Sequence, residues 1–282
     1  MKLISFTYQN KQSYGIVEGD SILDLAPVLG SQAVDIKTLI EKNLMGAAAD
    51  AATSGNFSLK LSDVSLLPPV PNPGKIFCVG LNYADHVKET GRDLTEKPAI
   101  FTRFADSQIG HGQALVRPPE SHRFDYEGEI AIVIGKGGRR INEADAWDHI
   151  VGYSCYNEGS IRDWQNFTTQ WIAGKNWWHS GAFGPWMVTS DEIKADQKMT
   201  LITRLNGTEL QRATTDMMIH SIPSQIAYIS TFTPLSPGDV IVTGTPGGVG
   251  NKRTPQVFMK PGDVVEIEVD AIGILRNTIR DE

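Results

Sequence analysis

Three absences bound what this 282-residue chain can be. It holds only two cysteines, Cys78 and Cys155, each in apolar surroundings; that suits buried reduced thiols and excludes a disulfide scaffold. No run approaches the ~18 consecutive apolar residues of a membrane span. Positive charge is short: 26 Lys and Arg stand against 33 Asp and Glu, a formal net charge of −7. Nucleic-acid binding needs a basic surface to neutralise phosphates, so neither nucleic acid nor membrane is an expected partner. The first residues, Met1-Lys2-Leu3-Ile4-Ser5-Phe6, break off before any signal-peptide core and read as a first strand, so the expected location is cytoplasmic. Apolar content of 40% and charged content of 21% are those of an ordinary globular protein.

What is present divides in two. Up to about residue 65, short alternating runs (Leu3 to Tyr8, Ser13 to Val17, Ser21 to Leu25) are separated by turn residues such as Glu18-Gly19-Asp20 and predict a small antiparallel sheet. Ile36, Leu39, Ile40 and Leu44, spaced by three and four, predict a helix after it. Pro68, Pro69, Pro71 and Pro73 then fall within six residues, which no helix or central strand accepts. A linker is expected there, giving a small α+β N-terminal domain over 1–70 and a second domain over 71–282. The second unit carries many short strand signals punctuated by Gly and Pro. They run Ile76 to Val79, Glu129 to Ile134, Ile150 to Tyr156, Gly184 to Val188, Thr200 to Leu205, Val240 to Thr243 and Val264 to Val269. Helical signals are limited to Tyr83 to Glu89, Glu143 to Asp148 and Ile222 to Phe232. That mixture predicts a β-rich α+β fold, a barrel or rolled sheet.

The chemistry concentrates in a few segments. In Asp125-Tyr126-Glu127-Gly128-Glu129-Ile130, two carboxylates stand two residues apart where a β-branched run begins. Residues i and i+2 of a strand share a face, so Glu127 and Glu129 repel each other unless a cation lies between them. Hard divalent ions prefer such oxygens, although a solvated strand face displays the same spacing. Glu158 closes the next strand signal and joins them as a third acid, followed by Arg162, Asp163 and Gln165 in a polar turn. His86 and Glu89, at i and i+3 after a glycine turn, share a helical face. A carboxylate there fixes the imidazole tautomer and raises its basicity, as a general base requires, and the short helix is a natural lid. Lys175 lies among Trp177, Trp178 and Phe183, a setting that desolvates its charge. Thr243-Gly244-Thr245-Pro246-Gly247-Gly248 lacks the P-loop pattern, and Lys252 is misplaced for one; a tight backbone turn beside a ligand fits it better.

These segments together resemble the fumarylacetoacetate hydrolase superfamily, in its bacterial two-domain form. The likeness runs from Gly80-Leu81-Asn82-Tyr83 through Asp125-Tyr126-Glu127-Gly128-Glu129, Arg162-Asp163-Trp164-Gln165, Gly184-Pro185-Trp186 and Gly238-Asp239-Val240-Ile241-Val242-Thr243-Gly244-Thr245-Pro246 to Pro261-Gly262-Asp263. The resemblance implies a mixed β-roll catalytic domain, usually homodimeric, with Mg²⁺, Mn²⁺ or Ca²⁺ held by Glu127, Glu129 and Glu158. It further implies His86 and Glu89 as a catalytic dyad on a lid, Lys175 as a catalytic cation, and Arg103, Arg162, Gln165 and Thr245 as substrate-binding groups. Two positions depart from the usual pattern: Glu158 where relatives carry Asp, and Arg103 where they often carry Lys. The implied activity is metal-dependent hydrolysis of a carbon–carbon bond in an acylpyruvate or 1,3-diketo acid, in catabolism of aromatic or sugar-derived acids. The alternative is decarboxylation or isomerisation of a 2-oxo or 2-hydroxydienoic acid through the same enolate. A non-catalytic metal-binding protein is the remote alternative. Substrate selection is expected from the lid after Gly80, the 166–182 segment and the loop 247–258.

Overall fold

The computed structural model describes residues 1–93 and 95–282, except for the side chain of Ser54. Its framework is a twelve-stranded sheet. From one edge the order is Leu59–Lys60, Ser21–Asp24, Lys11–Glu18, Lys2–Tyr8, Gly181–Thr189, Ile150–Asn157, Gly128–Ile134, Val240–Val242, Ile76–Gly80 and Ala99–Arg103. Ser65–Leu67 and Gln108–Ile109 pair off this path. A five-stranded sheet, Thr208–Thr214, Thr200–Leu205, Val264–Val269, Gly273–Asp281 and Ala114–Arg117, packs against it. Both sheets are open, so the expected β-rich α+β class holds while neither closes into a barrel. The N-terminal strands join the same sheet, through Lys2 opposite Val188 and Leu3 opposite Met187. Among the described residues no helix is long and apolar enough to cross a membrane.

Most expected elements lie where the patterning puts them. Thr200–Leu205, Val264–Val269 and the helix Ile222–Phe232 coincide with it, and Ser221 caps that helix by accepting from the Ser224 N–H. The first predicted helix is shorter, Ile36–Glu41, with Asp35 accepting from the Thr38 N–H at 2.6 Å. A second helix, Met45–Ser54, follows it. Small side chains fill that helix, and Ala carries no amphipathic signature to announce it. The predicted polar turn at Arg162 is a short helix, Arg162–Asn166.

Every residue of Gly128–Ile134 is buried, because the strand separates two cores. Ile130, Ile132 and Ile134 point into one core, shared with Leu201, Ile267 and Leu275 of the smaller sheet. Ala131 and Val133 point into the other, with Cys78, Val240, Val242 and the N-terminal helix residues Leu39 and Ile40. The two-residue alternation carries back to Glu129 and Glu127, so both carboxylates continue the Ala131 and Val133 side.

Ile150–Asn157 pairs antiparallel with this strand, Gly128 facing Asn157. The Glu158 N–H donates to the Glu127 carbonyl at 2.8 Å, which brings the third acid level with the first two. Gly159 makes this approach possible: a β-carbon there would lie 1.9 Å from the Ser180 carbonyl oxygen and 2.8 Å from the Phe124 ring. Replacing Gly159 by Ala forces backbone to move, an overpacking cost of about 1–3 kcal/mol. Urea unfolding is expected to show a lower midpoint at unchanged slope. An unshifted midpoint would mean that the turn yields freely.

Candidate active site

A cavity of about 240 Å³ gathers nearly every residue the sequence singled out. Its floor is the acid cluster. Ligand oxygens of Glu127, Glu129 and Glu158 all lie within 4.8 Å of one another, and all three residues are buried. Lys175, 2% exposed, reaches Glu127 Oε2 at 2.6 Å and Glu158 Oε2 at 3.1 Å, with the Phe101 ring 5.2 Å from its Nζ. The Arg162 guanidinium joins Asp125 Oδ2 at 2.7 Å, Glu127 Oε1 at 2.6 Å and Gln165 Oε1 at 2.9 Å. Glu129 forms no ion pair among the described residues. One of its oxygens accepts the Gly244 N–H at 2.5 Å.

These surroundings split the three acids. Burial opposes ionisation of Glu127, but the Lys175 ammonium and then the Arg162 guanidinium outweigh it and hold that carboxyl far below the usual range. Burial raises Glu129 well above it, and the charges of Glu158 and Glu127 push in the same direction. Burial also raises Glu158, only partly offset by Lys175. Two of the three therefore resist ionisation until more positive charge arrives. Glu158 Oε1 is buried with no hydrogen-bond partner. Three hard oxygen donors, one of them orphaned, fit a divalent cation.

The dyad stands on the helix Ala84–Thr90, nearly two turns long and within one residue of the expected span. His86 is buried and its Nδ1 lies 2.7 Å from Glu89 Oε1. The other Glu89 oxygen accepts the Gly248 N–H at 2.9 Å, tying the helix to the glycine-rich loop. With Nδ1 committed to a carboxylate, Nε2 of this cavity-lining imidazole is the nitrogen left for a ligand. Gln165 and Thr245 also line the cavity. Thr245 is held by donating to the Gly128 carbonyl at 3.0 Å and accepting from Gln211 Nε2 at 2.8 Å.

Arg103 lies beside the turn that follows Glu158. It is 2% exposed and absent from the cavity wall, donating instead to the Gly159 carbonyl at 2.9 Å and Ser180 Oγ at 2.8 Å. Its fork braces the turn behind Glu158. Other groups gave no local signal. Gln211 joins Gly128 to Thr245 from the smaller sheet. Asn82 pins the Thr243 carbonyl at 2.7 Å and the His220 N–H at 2.7 Å. Arg92, Trp171, Asn251 and Lys252 complete the wall, so all three segments expected to select substrate reach the cavity.

Two family models cover the chain: "Fumarylacetoacetate (FAA) hydrolase C-terminal" matches residues 75–280, and "Rv2993c-like, N-terminal" matches residues 1–69. The chain belongs to the fumarylacetoacetate hydrolase family and is an enzyme of that superfamily. It is 38% identical over 287 residues to a mitochondrial oxaloacetate tautomerase of Xenopus laevis, covering 99% of this chain and 90% of that protein. It is 41% identical over 229 residues to oxaloacetate tautomerase YisK of Bacillus subtilis, covering 80% and 76% respectively. The solved maleylpyruvate hydrolase of a Sphingobium species, in complex with manganese(II) and pyruvate, superposes with a TM-score of 0.83 at 28% identity, covering 100% of this chain and 99% of that one.

The split acids make stability depend on pH. A carboxyl whose folded pKa lies above its unfolded value supports the fold while protonated and withdraws that support as pH rises through the folded value. Glu129 and Glu158 are of this kind. Glu127 is the reverse: its contribution is present above the ordinary carboxylate range and lost on acidification. In a chelator the protein is therefore expected to lose stability as pH rises from the ordinary carboxylate range to well above it, and saturating Mn²⁺ or Mg²⁺ to restore it. Urea unfolding across that range checks this; chelated protein equally stable at both ends would contradict it.

Proposed function

We propose that the chain catalyses keto–enol tautomerisation of a small 2-oxo dicarboxylic acid of the oxaloacetate kind, with Mg²⁺ or Mn²⁺ as cofactor and Ca²⁺ as a poorer substitute. The observation that carries this reading is one imidazole base and one carboxylate cluster sharing a cavity of about 240 Å³, below the ~300 Å³ at which small-molecule sites usually begin. Moving one proton beside a site that stabilises enolate charge is all that tautomerisation requires. The similarity to proteins named oxaloacetate tautomerase supports it over carbon–carbon hydrolysis.

Glu127, Glu129 and Glu158 would hold the cation, whose chemistry is Lewis-acid stabilisation of negative charge developing on the substrate oxygens. His86 Nε2 takes the proton from substrate C3 and, as imidazolium, delivers one to the C2 oxygen. Glu89 accepts the Nδ1–H throughout, which keeps Nε2 free to act as base and steadies the imidazolium that forms. Lys175 adds a fixed positive charge beside the same oxygens. Gln165, held by Arg162, and Thr245, held by Gln211, orient the 2-oxo acid end. Arg162 contributes by fixing Glu127 and Gln165. A homodimer is the assembly that goes with this reading.

Hydrolysis of an acylpyruvate is the second reading, favoured by the likeness to the maleylpyruvate hydrolase. There His86 would take its proton from water. Products separate the two readings: tautomerisation conserves mass, hydrolysis gives two carboxylic acids, and decarboxylation gives CO₂. Incubated with Mn²⁺ and followed by enol absorbance and mass spectrometry, oxaloacetate is expected to equilibrate faster without loss of mass. His86→Ala is expected to lower kcat about 10²- to 10⁴-fold with metal affinity kept. Cleavage of an acylpyruvate without effect on oxaloacetate enolisation would transfer the assignment to hydrolase.

A further inference from the structure

Four basic side chains line the cavity: Arg92, Arg162, Lys175 and Lys252. Arg162 and Lys175 are consumed by Asp125, Glu127 and Glu158. Arg92 and Lys252 are exposed and have no acidic partner among the described residues. Cations left unpaired on the wall of a cavity whose floor is acidic are placed for an anion that arrives with the ligand.

Arg92 is held by a ring contact, and Lys252 rises from a fixed backbone turn. Gly91, in the left-handed region at φ 68°, ends the dyad's helix and turns the chain at Arg92. The Arg92 guanidinium lies over the Trp171 ring, 4.9 Å from its centroid. Trp171 in turn sits edge-on to Phe101 at 5.3 Å and over Gly80, where a β-carbon would come 2.4 Å from the indole. Stacking engages only the face of a guanidinium, so its N–H donors remain available at the edge. Lys252 ends the short turn Gly250–Lys252. Asp125 holds that turn by accepting the Gly250 N–H at 2.8 Å and the Asn251 N–H at 2.9 Å. The same carboxylate fixes Arg162, and through it Glu127, so the base of Lys252 is registered against the acid cluster.

We propose that Arg92 and Lys252 form a recognition site for the distal carboxylate of a dicarboxylate substrate, and that they set the preference for diacids over 2-oxo acids with a neutral tail. This rests on the tautomerase reading for the placement of the 2-oxo acid end at the cluster. Arg92 offers a planar fork suited to a carboxylate and Lys252 a point charge. The two come from the segment after the lid helix and from the loop tied to that helix through Glu89 and Gly248. A bound diacid thus bridges the pieces that hold His86 in place.

The test compares oxaloacetate with its 4-monomethyl ester, which keeps the 2-oxo acid end and loses the distal charge. Titration calorimetry on full-length, Mn²⁺-loaded wild type, Arg92→Gln, Lys252→Gln and the double variant gives the ratio of the two Kd values. Enolisation rates are read on the same samples. Wild type is expected to favour the diacid, each single variant to reduce that preference about tenfold, and the double variant to bring the ratio close to one. A double variant that keeps the wild-type ratio, or a wild type that binds acid and ester alike, overturns the proposal. A diacid preference that depends on Arg92 and Lys252 without faster enolisation sustains the recognition site and removes the tautomerase reading.

Discussion

Three carboxylates buried within 4.8 Å of one another are the constraint on which the rest of the site depends. Burial penalises each charge, and like charges at that range raise the penalty further. Lys175 lies against two of the three and Arg162 against one, which leaves Glu129 with only a backbone N–H. The structure is thus short of positive charge where its oxygens converge. A divalent cation supplies the missing charge and the missing partner for Glu158 Oε1, and the arrangement makes chemical sense as the resting place of one.

Asp125 connects this centre to its surroundings. It takes no place in the cluster, yet it accepts from Arg162, Tyr126, Gly250 and Asn251. The cluster, the glycine-rich loop and the cavity wall are therefore registered on one buried carboxylate. Arg103 works from the opposite side by fixing the Gly159 carbonyl behind Glu158. Glu89 is a second link, between the imidazole and the Gly248 N–H. Local order of this kind preorganises the charges a proton-transfer reaction needs.

Legibility in the sequence followed the range of the interactions. Glu127 and Glu129 share a face because a strand alternates, and His86 meets Glu89 because a helix repeats; both facts are local and could be read directly. The strands Ala99–Arg103, Ala114–Arg117 and Gly273–Asp281 were not read, since they are short or carry charge on their exposed faces. Ala114–Arg117 takes its place only by pairing with Gly273–Asp281, far along the chain. Gln211 was invisible because its partner Thr245 lies 34 residues away, and Asn82, although inside a recognised segment, kept its role hidden because its partner Thr243 lies 161 residues away. The contacts of Arg103 with the Gly159 carbonyl and Ser180 Oγ were not readable either, because position in a motif records a charge and not its direction. Which relatives the chain resembles in activity was likewise beyond residue patterns, since one enolate-stabilising scaffold serves several reactions.

The most direct test of the metal centre is a proton count. If burial keeps Glu129 or Glu158 protonated in the metal-free protein, a cation must displace that proton as it binds. Titration of chelator-treated protein with Mn²⁺ near neutral pH, by calorimetry in buffers of different ionisation enthalpy, reports the protons released per ion. One tight ion per chain with about one proton released, and loss of both signals in Glu158→Gln, is the expected result. Tight binding without proton release, or binding unaffected by that substitution, would contradict a cluster whose buried acids stay protonated until a cation arrives.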